Sequence, residues 1–119
     1  MPLLHRGGRG LRGWIAELRA LGMGVNAAHR TAPVPADRFW RIVESPGTPP
    51  TIRAAAAVAL GPRLDARDRD RLRLAASTTV APRLRLALEA AAGSARDVEL
   101  EALLAEVEQE DAPPLRHEG

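Results

Sequence analysis

The stretch TPPTIRAAAAVALGPRLDARDRDRLRLAA (residues 48–76) returns in altered letters as VAPRLRLALEAAAGSARDVELEALLAEVE (residues 80–108). At an offset of 32 residues Pro50 falls on Pro82, Arg53 on Arg85, Ala55 on Ala87, Ala59 on Ala91, Gly61 on Gly93, Asp65 on Asp97 and Leu72 on Leu104. Each copy reads as a helix, a glycine stop and a second helix. A period of this length belongs to stacked helical pairs, because a single pair cannot bury its apolar face alone. The architecture is legible here. The biochemistry is not, since no catalytic or cofactor constellation stands out.

Within the first copy, Thr48 reads as an N-cap with Pro49 in the first turn, where a missing N–H costs little. Ile52, Ala55, Ala56, Ala59 and Leu60 form the inner stripe, and Gly61-Pro62 closes the helix. Asp65 and Asp68 have the spacing of a capping box for a helix running to about Ala76. In the second copy Val80, Leu84, Ala87, Leu88 and Ala91 make the cleanest stripe. Gly93 stops that helix, and Ser94 and Asp97 cap the next. The last helix places Leu100, Leu103, Leu104 and Val107 inside and its glutamates largely outside.

Upstream, Leu11, Trp14, Ile15, Leu18 and Leu21 recur at three- and four-residue spacing, the stripe of an amphipathic helix. Gly22 and Gly24 are expected to stop it. Phe39, Trp40 and Val43 are the buried face of a helix over 35–44. The expected organisation is a flexible leader over 1–10, an N-terminal capping helix over 11–22, a loop or linker over 23–34, a helical repeat domain over 35–109 and a disordered tail over 110–119. No segment alternates with period two. The fold class is all-α, about six helices in a short stack. The last five alternate outer and inner, with the first helix at one end and the acidic last helix at the other.

TPPTIRAAAAVALG and VAPRLRLALEAAAG resemble the second helix of HEAT-type repeats. That helix usually opens with proline, then an aliphatic-Arg pair, then small apolar residues ending in Leu-Gly. The matching positions are Pro50 with Ile52-Arg53 and Pro82 with Leu84-Arg85. The resemblance covers at most residues 35–108. It implies that Arg53 and Arg85 tie neighbouring repeats together. Two departures stand beside it: neither copy has the acidic residue often found just before the Arg helix, and the chain is shorter than most such arrays. The stretch FWRIVESPGTPPTIRAAAAVALGPRLDARDRDRLRLAASTTVAPRLRLALEAAAG is also similar to cytosolic helical C-terminal regions of uncharacterised membrane proteins of GC-rich bacteria. No biochemical role comes with that likeness.

Charge is distributed unevenly. All 17 basic residues are Arg, so the sequence pI near 10.8 reflects the lack of groups titrating at intermediate pH rather than a strong net charge, which is only +2. Residues 1–96 hold 16 Arg and 7 acids, whereas residues 97–119 hold 8 acids and only Arg116. A basic body thus carries an acidic last helix. The absence of Cys excludes disulfides and thiolate chemistry. No apolar run is long enough for a signal peptide or a membrane span. The opening PLLHRGGRGLRG reads either as a native start or as a cut just inside a longer protein.

The motifs have bland readings that outweigh the sharp ones. Gly8, Gly10 and Gly13 spell GxGxxG, but the strand and βαβ unit that give it phosphate chemistry are missing. Arg6 to Gly10 resembles a single RGG unit, which without aromatic neighbours reads as a solvated terminus. His5, His29 and His117 lack metal-site spacing. Asp65, Asp68 and Asp70 lack the calcium-loop pattern. Ser45, Ser77 and Ser94 sit at helix ends as caps, and none occupies a nucleophile elbow. Arg63, Arg67, Arg69, Arg71 and Arg73 form the densest basic cluster, but interleaved aspartates make it a salt-bridged face before a phosphate track.

The expectation is therefore a non-enzymatic module without cofactor or metal. It would bind another protein, or a second copy of itself, through the charged outer helices near Arg38, Arg41, Arg67 and Arg71. Two alternatives stay open: nucleic-acid binding through the Arg-rich face, and a cytosolic appendage of a longer membrane protein. A cytoplasmic location follows under each, tethered to a membrane under the last, with no direct insertion by this chain.

Overall fold

The computed structural model describes residues 4–23, 35–93 and 95–111; of the expected loop over 23–34 only Met23 is described, and of the expected tail over 110–119 only Glu110 and Asp111, all three of them helical. Six α-helices follow one another: α1 Leu11–Met23, α2 Ala36–Val43, α3 Pro50–Leu60, α4 Ala66–Ser77, α5 Pro82–Ala92 and α6 Asp97–Asp111. A 3-10 turn over Gly61–Arg63 joins α3 to α4, and no strand occurs among the described residues. The fold is all-α, as the periodicity requires. No helix is long and apolar enough to cross a membrane, among the described residues.

The 32-residue offset relates two helices of the same length and the same kind of start. Helices α3 and α5 both run for 11 residues from a proline at their first position. There φ is already set for a helix and the absent N–H leaves nothing unsatisfied. The N-cap of α3 is Pro49 rather than Thr48, whose own N–H donates to the Ser45 carbonyl within the preceding turn. Asp65 caps α4 as its spacing predicts, Oδ1 accepting from the Asp68 N–H at 2.8 Å. At α6, Glu99 reaches back toward the Arg96 N–H at 3.4 Å; Ser94 lies outside the described residues. Val80 is no part of the α5 stripe. It precedes the Ala81 cap and is 95% exposed, because the chain is extended there and the helical register has not begun.

The core is organised around α3. Every residue from Arg53 to Leu60 is buried, well beyond the single stripe expected. Four helices surround it: α1, α2, α5 and α6. The run Ala54 to Ala57 allows this, since a methyl side chain lets four neighbours approach one axis, and a helix apolar all round belongs inside.

The placement of α1 and α6 corrects the expectation that they cap opposite ends. They lie side by side and both pack on α3. Helix α6 does not continue the outer layer; it folds across the inner helices α3 and α5. Leu100, Leu104 and Val107 are buried there. Each such side chain gains roughly 1.5–3 kcal/mol by leaving water, which an outer position at the end of a stack would not provide. Ion pairs line the α1–α6 seam: Arg12 with Glu101 at 3.1 Å, and Arg19 with Asp97.

Two further expectations change. Gly22 does not stop α1, which continues to Met23. It is the point of closest approach to α3: a Cβ there would lie 1.7 Å from the Ala59 carbonyl oxygen. Gly24 lies outside the described residues. The leader is also held to the body over its described part. Leu4 is only 1% exposed and belongs to the core, Arg6 meets Glu108 at 3.1 Å, and Arg9 pairs with Glu17.

Candidate interaction surface

Helices α2 and α4 carry the candidate arginines. Phe39, Trp40 and Val43 hold α2 on α3, and Leu72, Ala75 and Ala76 hold α4 on the core. That register turns Arg38, Arg41 and Arg67 outward, and all three are exposed. Their side chains have no hydrogen bond or ion pair among the described residues, and the same holds for the Arg69 side chain. Arg73 pairs with Asp70 one turn back at 3.2 Å.

Arg71 differs from its fellow candidates. Its Nε and Nη2 donate to the two carboxylate oxygens of Glu44 at 2.8 and 2.7 Å, a bidentate fork. Its guanidinium lies 4.3 Å from the ring centroid of Trp40. Hydrogen bonding to Glu44 raises the pKa of Arg71 above the ordinary arginine value, against a smaller opposing effect of burial. Arg71 therefore clamps α4 to the C-terminal end of α2. Of the four candidate residues it is the one already committed to the fold. Sequence reading missed this because Glu44 and Arg71 are 27 residues apart, outside helical spacing.

The two arginines related by the 32-residue offset also diverge. Arg53 is buried, with 8% exposure. Its Nε donates to the Val43 carbonyl at 2.9 Å and its Nη2 to Thr79 Oγ1 at 3.3 Å. Thr79 Oγ1 in turn donates to the Ala75 carbonyl at 2.7 Å. One guanidinium thus ties the C-terminal ends of α2 and α4, where helix dipoles favour a cation. Burial lowers its pKa, yet an arginine keeps its proton under any ordinary condition. The Arg85 side chain, by contrast, is exposed and pairs on its own helix with Glu89, at 3.7 Å.

The acids of α6 are consumed internally. Besides Glu101, Asp97 and Glu108, Glu106 meets Arg83 at 2.7 Å. The Glu110 carboxylate accepts from the backbone N–H groups of Arg83 and Leu84, at 3.1 and 3.3 Å, capping α5 from another helix. The arginine side chains without a partner among the described residues are thereby those of α2 and α4. No group of three or more His, Asp or Glu among the described residues could hold a metal ion. Comparison of the chain with protein-family models, with curated proteins and with solved structures finds no match.

Proposed function

We propose that this chain is a non-enzymatic, HEAT-like helical module that binds another protein through the outer face of α2 and α4. The observation that carries the reading is the uneven use of charge. Arginines facing α6 have carboxylate partners, whereas Arg38, Arg41 and Arg67 have none among the described residues. Three exposed cations on one side of a rigid helical stack suit a partner with an acidic surface, since such complementarity sets orientation and on-rate. Arg71 contributes by holding the two helices in register rather than by meeting the partner.

The test is affinity capture from host lysate, with and without nuclease, comparing the native chain with the triple variant Arg38→Glu, Arg41→Glu, Arg67→Glu. A stoichiometric protein band that survives nuclease and disappears with the triple variant supports the reading, provided far-ultraviolet circular dichroism is unchanged. Retention by the triple variant overturns it. Recovery that collapses with nuclease puts nucleic acid in the partner's place, and that binding would also weaken steeply with salt.

A further inference from the structure

The turn between α2 and α3 and the turn between α4 and α5 stand beside each other, and a groove of about 480 Å³ opens between them. That volume falls within the roughly 300–1,000 Å³ usual for small-ligand sites. Pro46, Pro50, Val80 and Leu84 supply apolar wall, and Arg53 lies against the groove. Arg53 as a residue is more than nine-tenths buried, yet among the described residues its guanidinium has no ion pair and only two of its five N–H groups are used. The one carboxylate on the groove wall among the described residues, Glu44, has both oxygens engaged by Arg71. A buried charge without a counter-charge is costly, and the groove is the side from which one can arrive.

We propose that this groove receives a glutamate side chain from an apolar segment of a partner protein, its carboxylate meeting the free N–H groups of Arg53. The two methylenes of glutamate match the proline and leucine walls, and its carboxylate matches the planar donor fork. A chain passing over the rim meets Val80, an apolar side chain 95% exposed at the groove mouth. This site is separate from the Arg38, Arg41 and Arg67 face and does not depend on it.

The experiment is nuclear magnetic resonance titration of the full chain with a capped pentapeptide, Ala-Leu-Glu-Leu-Ala, and with its glutamine counterpart. The glutamate peptide should shift the Arg53 side-chain Nε–H signal and the amides of Thr79 and Val80, with the glutamine peptide about tenfold weaker or worse. Val80→Glu, at a position too exposed to disturb folding, should abolish the shifts by placing a competing carboxylate at the mouth. The triple variant of the outer face should bind the peptide unchanged. Equal affinity for the two peptides, shifts centred elsewhere, unchanged binding by Val80→Glu, or loss in the triple variant would each overturn the proposal. No saturable shift up to about 10 mM peptide, a limit near 3 kcal/mol of binding, would do so too. Tighter binding of an uncapped Ala-Leu-Ala peptide would overturn the side chain as the carboxylate's source.

Discussion

Gly22 of α1 sits against the backbone of Ala59 in α3, so close that a Cβ would overlap the Ala59 carbonyl oxygen at 1.7 Å. The clash is with backbone, which cannot rotate away. Gly22→Ala should therefore destabilise by roughly 2–3 kcal/mol or more, read from urea unfolding. Gly13 provides the control within the same helix. Nothing lies within 4 Å of a Cβ there, and Gly13→Ala should stabilise by about 0.5–1 kcal/mol.

The two offset-related arginines should separate sharply. Arg53→Ala leaves the buried hydroxyl of Thr79 and the Val43 carbonyl short of a donor and opens a cavity, so a loss of about 2–4 kcal/mol is expected. Arg85→Ala removes only a long surface pair and should stay within about 0.5 kcal/mol. Equal losses in thermal unfolding would show that the second copy uses its arginine as the first does.

Among the outer arginines, stability and binding should divide. Arg71→Ala uncovers Trp40 and frees Glu44, at a cost of about 1–2 kcal/mol once solvent screening is allowed for. Arg67→Ala, one turn earlier on the same row, should stay within about 0.5 kcal/mol. Charge reversal at Arg71 is thus a poor probe of partner binding, and the unpaired Arg38, Arg41 and Arg67 are the informative set.

Glu110 should behave as a cap supplied at long range. Glu110→Gln keeps the shape but weakens the hydrogen bonds to the first turn of α5, and about 1 kcal/mol should be lost. The loss should shrink at high salt and appear first as faster amide exchange at Arg83 and Leu84. A chain ending after Gln109 would carry the same defect, whereas one ending after Asp111 would not.

Much of the fold is legible in the sequence because it is local. The paired Pro50 and Pro82 starts, the Asp65 cap and the Leu72 and Leu104 burials all follow from helical spacing or the 32-residue offset. What escaped is what depends on distant residues. Gly22 has the letters of a stop signal and the surroundings of a crossing point, and only α3 distinguishes the two. Val80 fits the α5 period numerically but lies two residues before the helix begins, ahead of the Ala81 cap. Of the candidate surface, the outward direction of Arg38, Arg41 and Arg67 follows from the buried stripes of their helices. The capture of Arg71 by Glu44 and Trp40 depends on how α2 and α4 meet, which no local pattern encodes.

The folding of α6 across α3 and α5 also limits how such a chain can grow. Tandem duplication of the 32-residue unit is the simplest way to lengthen a protein of this kind. A third alanine-lined inner helix would emerge with one side bare, since α1 and α6 together cover only the two that exist. Lengthening would then require a second covering helix at the same step, or association with another molecule to shield the new surface. The helix that completes the core is in this sense a length gauge, matched to the two inner helices it covers.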